Sequence, residues 1–361
     1  MPELPEVETV ARDLRGLVLG ARIERVEVTW PRTIRSGDPA SFSALVAGRT
    51  IVAVGRRAKL VVLDLDDGSA VTVHLKMTGQ LFVVPGDAPA DPYVRVAIGL
   101  ADGREIRFRD VRKFGRIGLA RRDADGELVG EVGGGAGFAG FGPEPLDPAF
   151  DLQAFRRRLR ARRGRLKPLL MDQGFLAGVG NIYADEALWA ARLHPLRGAA
   201  SLRPPDEARL YRELLRILRE AVERRGSSID DYTAPEGDGS MQERLEVYQR
   251  TGGPCPRCGR PIRRIVVGGR ATHFCSHCQR LRAADRADPA IRRILAAMEP
   301  RPGRGARPRG PRWTETAAAG SLGLTPDEAA RAEARARTER TRRAAATRRA
   351  AARAAARPEG A

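Results

Sequence analysis

Apolar and polar residues recur along this chain with two periods, and the change between them divides it. Near the start, Val7, Val10, Leu14 and Leu17 fall at helical spacing and form one apolar stripe. Pro5 suits the first position of such a helix, where its missing N–H costs nothing. Glu6 and Glu8 then lie near the positive end of the helix dipole. A helix beginning near Pro5 accounts for the opening MPELPEVETV except for Pro2, which with Glu3 forms a short lead pinned ahead of it.

From residue 21 to 121 the period shortens to two. KLVVLDLDDGSAVTVHL reads as two strands around Asp67-Gly68, and YVRVAIGLADGREIRF as two strands around Asp102-Gly103. Asp-Gly between alternating runs is a hairpin signature. An antiparallel β-sandwich with the N-terminal helix along it is therefore expected. GEVGGGAGFAGFGPEP, at 130–145, reads as a linker or crossing segment. Helical spacing returns near residue 148, where Leu152, Phe155 and Leu159 share a face. GNIYADEALWAARL and PPDEARLYRELLRILREAVERR predict two further helices.

Charge narrows the partner. A net +19 on 361 residues points to a polyanion, most simply nucleic acid. No apolar run is long enough to span a membrane, and the opening lacks the basic start and apolar run of an export signal. Only Lys59, Lys76, Lys113 and Lys167 are lysine; the other basic residues are arginine. In so arginine-biased a chain, each retained lysine hints that a compact ammonium is needed. From Arg301 onward there are 15 arginines and 6 acidic residues, which gives +9 and almost no large apolar residue. TPDE at 325–328 would cap a helix, but that helix has no face to bury. The segment is predicted to be a mostly disordered basic arm.

All four cysteines fall in CPRCGRPIRRIVVGGRATHFCSHC, as C-x2-C, sixteen residues, C-x2-C. That spacing is a zinc signature. Cys255, Cys258, Cys275 and Cys278 suit one closed, tetrahedral structural Zn2+. His273 and His277 are alternative ligands in principle, but four cysteines complete the shell. Their grouping also speaks for a reducing compartment rather than a disulfide framework. Between the pairs, two short strands join through Gly268-Gly269, which puts Arg270 at the tip of a hairpin.

Six motifs now stand in one order: PELPEVET at the N-terminus, RRAK at 56–59, HLKMTG at 74–79, DVRKFG at 110–115, GVGNIYADEAL at 178–188, and the zinc hairpin. Over residues 1 to 283 the chain resembles the formamidopyrimidine-DNA glycosylase family, oxidised-base repair enzymes related to endonuclease VIII. The resemblance implies a multi-domain α+β fold. An N-terminal helix on an antiparallel β-sandwich (1–130) leads through the glycine-rich linker (131–147) to a helix–two-turns–helix domain (148–233). A lesion-covering loop and connector (234–254), the zinc-finger hairpin (255–283) and the basic, disordered tail (284–361) follow. It further implies a monomeric DNA glycosylase and AP lyase for oxidised purines such as 8-oxoguanine. Double-stranded DNA carrying oxidised bases or abasic sites would be its partner, in the bacterial cytoplasm at the nucleoid.

The resemblance also supplies a role for Pro2. Loss of Met1 would expose a secondary amine, and α-amino groups titrate at about 7.7–8.0, well below lysine. In the family this proline attacks C1′ of the damaged nucleotide and forms a Schiff base. Glu3 matches the acid/base beside it, and Glu6 a second carboxylate that also reads as a helix start. Lys59 matches a phosphate-contacting lysine that assists β-elimination, and Arg270 the arginine assigned to flanking phosphates and δ-elimination. Asn181 matches a backbone-contacting asparagine, Lys167 a phosphate-contacting lysine, and Arg162 a basic DNA contact. Met77, Arg112 and Phe114 match the trio that fills the stack when the base leaves it. Read without the family, Met77 and Phe114 would be core residues. Both, however, sit at hairpin edges with a glycine close behind. Two departures bear on base recognition. Asp91 replaces a DNA-contacting histidine, and APEGDGSMQER at 234–244 lacks the aromatic often seen there. An enzyme for oxidised pyrimidines and a non-catalytic DNA binder are the competing readings. Arg112 with Phe114 argues against the first, and Pro2, Glu3 and Lys59 together argue against the second.

Overall fold

The computed structural model describes residues 1–124, 126–132, 136–228 and 239–296. The basic arm from Arg301 and residues 234–238 of the predicted cover loop lie outside them. Helix α1 (Leu4–Val18) begins where its stripe and prolines place it. Glu6 reaches back to accept the Glu3 N–H at 2.8 Å, which closes the first turn. Glu8 sits a turn too late to serve the dipole. Instead it pairs with Arg12 at 2.9 Å and Arg56 at 3.3 Å. Val7, Val10 and Leu14 are buried and Leu17 half-buried, so the stripe faces a core.

That core is the sandwich interior. One sheet runs β1 (Ile23–Val28), β6 (Val94–Leu100), β7 (Arg104–Asp110), β5 (Gly79–Pro85). The other runs β2 (Ile51–Arg57), β3 (Leu60–Leu65), β4 (Ser69–His74), β8 (Arg116–Arg122), β9 (Leu128–Val129). Every pairing is antiparallel, and Asp67-Gly68 and Asp102-Gly103 close the expected hairpins between β3 and β4 and between β6 and β7. Val61, Leu63, Val71 and Val73 meet Ile98, Ile106 and Phe108 across the two sheets, with α1 completing the cluster. Sequence periodicity misses α2 (Pro39–Val46). It is eight residues long and buries only Phe42 and Val46, too few to declare a period. Asp38 caps it, accepting the Ala40 and Ser41 N–H groups at 2.9 and 3.0 Å.

The glycine-rich stretch is a packed crossing rather than a free linker. After a short ribbon of β10 (Glu131–Val132) and β11 (Ala136–Gly137), Phe138 packs with Phe141 against Leu60, Val62, Ala120 and Leu128. Then α3 (Leu152–Arg160), α4 (Leu166–Met171), α5 (Asn181–Ala190) and α6 (Pro204–Glu223) enclose a second core around Phe155, Leu159, Leu170, Phe175, Tyr183 and Leu214. At six residues, α4 leaves no legible stripe. Met241, Val247, Cys255 and Ile262 extend this core into the zinc hairpin, β12 (Arg263–Val267) and β13 (Arg270–Phe274). Among the described residues no helix is long and apolar enough to cross a membrane.

The expected boundary of the tail at 284 moves. Residues beyond it form α7 (Ala283–Arg286) and α8 (Pro289–Ala296). Ile291 is 3% exposed and joins Leu196, Ile265, Val267, Phe274 and Leu281, with Ile294 and Leu295 beside it. The spacing 291, 294, 295 is a helical stripe too short to stand out against the arginine-rich background. Asp288 starts it by accepting the Ala290 N–H at 2.8 Å. Ile291→Ala is expected to lower unfolding free energy by about 2 kcal/mol. An unchanged urea midpoint would show that α8 adds no packing.

Candidate active site

The N-terminal lead is held by the start of α5. The Glu3 carboxylate accepts the Ile182 N–H at 2.9 Å and the Tyr183 N–H at 3.4 Å, at a helix N-terminus where orphan amides and the dipole both favour a carboxylate. Leu4 N–H donates to the Gly178 carbonyl at 3.0 Å. The approach is so close that a Cβ on Gly180 would lie 2.3 Å from the Glu3 carboxyl carbon. The GVGN sequence is thus a seat for Glu3.

Glu6 sits beneath it. Besides the Glu3 N–H, it accepts from the Tyr183 hydroxyl at 2.5 Å and from Ser227 N–H at 2.8 Å. Burial and the neighbouring Glu6 push the Tyr183 phenol well above its usual range, so it remains a donor. Neither Tyr183 nor Ser227 is singled out by sequence. Tyr183 lies inside a quoted motif, and Ser227 carries no local signal.

Above these residues opens a cavity of about 660 Å³. Pro2, Glu3, Glu6, Lys59, Met77, Asn181 and Arg270 all line it, drawn from the sandwich, α5 and the zinc hairpin. Burial pushes the Lys59 ammonium below the usual lysine range; Glu3 and Glu6 oppose that, and Arg270 reinforces it. Burial raises Glu3 above the usual carboxyl range; Lys59 opposes and Glu6 adds. Two buried carboxylates and a buried lysine thus share one electrostatic unit. His74 and Tyr248 also line the cavity without having been singled out. Burial, with Lys76 and Lys59 nearby, lowers His74 to about 3. It is a neutral ring whose Nδ1 accepts the Lys76 N–H at 3.1 Å.

The trio divides. Met77 is 38% and Phe114 46% exposed, which removes the core reading of both. Arg112 lies over the Phe114 ring, 5.2 Å from its centroid, and neither residue lines the cavity. Arg162 is exposed in the turn after α3, away from the cavity. Lys167, expected at a phosphate, lies inside the protein. It is fully buried, and its ammonium donates to Asp185 Oδ1 and the Asn181 carbonyl, both at 2.7 Å. Its charge is engaged inside the protein, where it holds the first residue of α5. Asn181 itself donates to the Ala271 carbonyl of β13 at 3.0 Å and keeps its Oδ1 buried without a hydrogen-bond partner. Asp91 takes up a structural position. It accepts the Tyr93 N–H at 2.8 Å and pairs with Arg109 at 2.6 Å.

The four cysteine sulfurs lie within 4.8 Å of one another. The Cys255–Cys278 and Cys258–Cys275 separations are 3.9 and 3.5 Å. Zn–S bonds of about 2.3 Å in a tetrahedron require S–S distances near 3.8 Å, so the set fits one structural Zn2+. The histidines are engaged elsewhere, His273 with Asp185 at 3.1 Å and His277 with Arg260 at 2.5 Å.

Fold and site together define a chain in which the N-terminus, seated on a helix of the second domain, enters a basic cavity completed by a four-cysteine hairpin. Family models match in the same order. They are the formamidopyrimidine-DNA glycosylase N-terminal domain at residues 1–117, its H2TH domain at 141–233, and the zinc finger found in FPG and IleRS at 252–281. The formamidopyrimidine-DNA glycosylase of Herpetosiphon aurantiacus is 46% identical over 281 residues, covering 77% of this chain and 100% of the relative. The crystal structure of the MutM (Fpg) protein from Thermus thermophilus matches with a TM-score of 0.68 at 45% identity, over 77% of this chain and 98% of that one. Lactococcus lactis Fpg in complex with DNA containing an abasic site matches with a TM-score of 0.68 at 35% identity, over 77% of this chain and 100% of that one. The chain belongs to the formamidopyrimidine-DNA glycosylase family.

Gly180→Ala is expected to push Glu3 off α5 and lower stability by about 1–3 kcal/mol, as overpacking does. A variant with the parent's unfolding midpoint would contradict the seat.

Proposed function

We propose that this chain is a base-excision repair DNA glycosylase with AP lyase activity, acting on oxidised purines such as 8-oxoguanine and formamidopyrimidines in double-stranded DNA. The observation that carries this reading is the convergence of Pro2, Glu3, Lys59 and Arg270 on one cavity from three separate parts of the chain. The DNA complexes of its relatives and the net charge of +19 support the choice of partner. That partner places the protein with the bacterial chromosome in the cytoplasm.

With Met1 removed, the Pro2 nitrogen is a secondary amine whose lone pair attacks C1′. The bond from C1′ to the base breaks, and the base leaves with that electron pair and a proton. Opening of the sugar ring then gives an iminium between Pro2 and C1′. Glu3 is the acid/base: burial lets it hold a proton at higher pH than an exposed carboxyl does. The iminium acidifies the C2′ proton. Its removal expels the 3′ phosphate by β-elimination, and a second elimination expels the 5′ phosphate. Lys59, with its lowered ammonium pKa, assists the first elimination, and Arg270 the second. Glu6 positions Glu3 through its N–H. The cysteines, with their Zn2+, fix the hairpin that carries Arg270. Asn181, and Arg162 farther out, contact the backbone, while Met77, Arg112 and Phe114 fill the space the extruded base leaves. In this reading residues 1–130 carry nucleophile and wedges, and 148–233 and 255–283 grip the strand.

Borohydride added to the protein with an 8-oxoguanine·C duplex is expected to trap a covalent complex. Pro2→Gly should abolish or strongly impair trapping while leaving duplex binding largely intact. Absence of trapping on both this duplex and an abasic one would overturn the enzyme reading.

A further inference from the structure

We propose that Asp110 and Thr78 form a clasp that couples the two wedge-bearing turns, so that Met77 enters the duplex together with Arg112 and Phe114. The proposal rests on the wedge role given to those three residues above. Met77 stands in the turn between β4 and β5, and Arg112 and Phe114 in the turn between β7 and β8. Gly79 and Asp110 are paired at one end of the β5–β7 ladder, where both turns leave the sheet.

The two turns share a design. In each turn one wedge follows a lysine in the left-handed region, Lys76 at φ +57° ahead of Met77 and Lys113 at φ +60° ahead of Phe114. Non-glycine residues adopt that conformation only where their surroundings enforce it. In the second turn the Lys113 ammonium lies 3.9 Å from the centroid of the Trp30 ring. Gly115 closes the same turn, and a Cβ there would fall 2.2 Å from Phe108 and 3.1 Å from Asp110 Oδ2.

Asp110, 1% exposed, joins the turns. Its Oδ1 accepts the Thr78 hydroxyl at 2.5 Å and the Arg112 N–H at 3.2 Å, and its Oδ2 accepts the Gly115 N–H at 2.6 Å. The Arg112 N–H also lies 3.3 Å from Thr78 Oγ1. Arg95, itself buried, donates to the Asp110 carbonyl at 2.8 Å. A buried carboxylate is tolerated only when so fully bonded, and those bonds here span two loops. Neither Asp110 nor Thr78 lines the cavity, so both are positioning residues. Extrusion needs every gap in the stack filled at once, which two independently moving turns do poorly.

The test uses the full-length, zinc-loaded protein and a duplex with 2-aminopurine beside 8-oxoguanine. Stopped-flow fluorescence reports extrusion, and single-turnover assays report excision. Thr78→Val, which keeps the shape and removes the hydroxyl, is expected to slow both by about tenfold, as the loss of one hydrogen bond would. Its affinity for intact duplex and its zinc content should match the parent's. Thr78→Ser should restore both rates to within about twofold, because the hydroxyl returns. Adding Thr78→Val to a Met77→Ala, Phe114→Ala background should slow extrusion no further. A further slowing there would mean a general structural role and would overturn the clasp. If the Met77→Ala, Phe114→Ala protein excises at the parent's rate, the wedge reading falls and the clasp with it. If that protein is slow and Thr78→Val is not, the clasp alone is overturned.

Discussion

The seat of the Glu3 carboxylate on the first amides of α5 is the constraint on which this structure turns. It ties the third residue to a backbone 179 positions away and leaves Pro2 buried at the cavity wall. The same helix also holds the zinc hairpin and the segment that leads to it. Asn181 reaches β13, and Asp185 accepts from Lys167 at 2.7 Å and from the His273 N–H at 2.8 Å. Glu186 accepts the N–H groups of Glu246, Val247 and Tyr248, all at 2.8–3.0 Å, although burial raises it to about 7. One helix of ten residues thereby fixes the chain start, the hairpin that carries Arg270, and the strap leading to it.

This arrangement explains which parts of the molecule can be read from the sequence. Asp-Gly turns, the α1 stripe and the cysteine spacing are local signals, and each finds its element. The specificity of GVGNIYADEAL is also visible in the sequence, but its reason is not. Every polar side chain in NIYADE answers to a residue far along the chain, and such pairings leave no local period. Lys167 is the sharpest case. A lysine retained among arginines hints that an ammonium is needed, and only the fold shows that ammonium between Asp185 and the Asn181 carbonyl. Short α2, α4 and α8 escape because two or three anchors do not make a stripe. Asp110 sits inside a motif recognised for its neighbours, while its partner Thr78 comes from another turn.

The electrostatics follow from the same packing. The chain is strongly basic, yet the cavity is not a plain cationic surface. Glu3 and Glu6 are sealed against Lys59, and at Glu3 and Lys59 burial opposes the mutual attraction of carboxylate and ammonium. Burial brings the lysine closer to neutrality and the carboxyl closer to holding a proton than either would be in water. Proton transfers at neutral pH call for that condition, and exposed arginines cannot provide it.

The central claim is that the seat on α5 presents Pro2, and no other amine, to the sugar. Peptide mapping by mass spectrometry of the borohydride-trapped complex tests it most directly. The account predicts a peptide that has lost Met1 and carries the reduced sugar on the nitrogen of Pro2. An adduct on Lys59, or on a chain that still retains Met1, would contradict it.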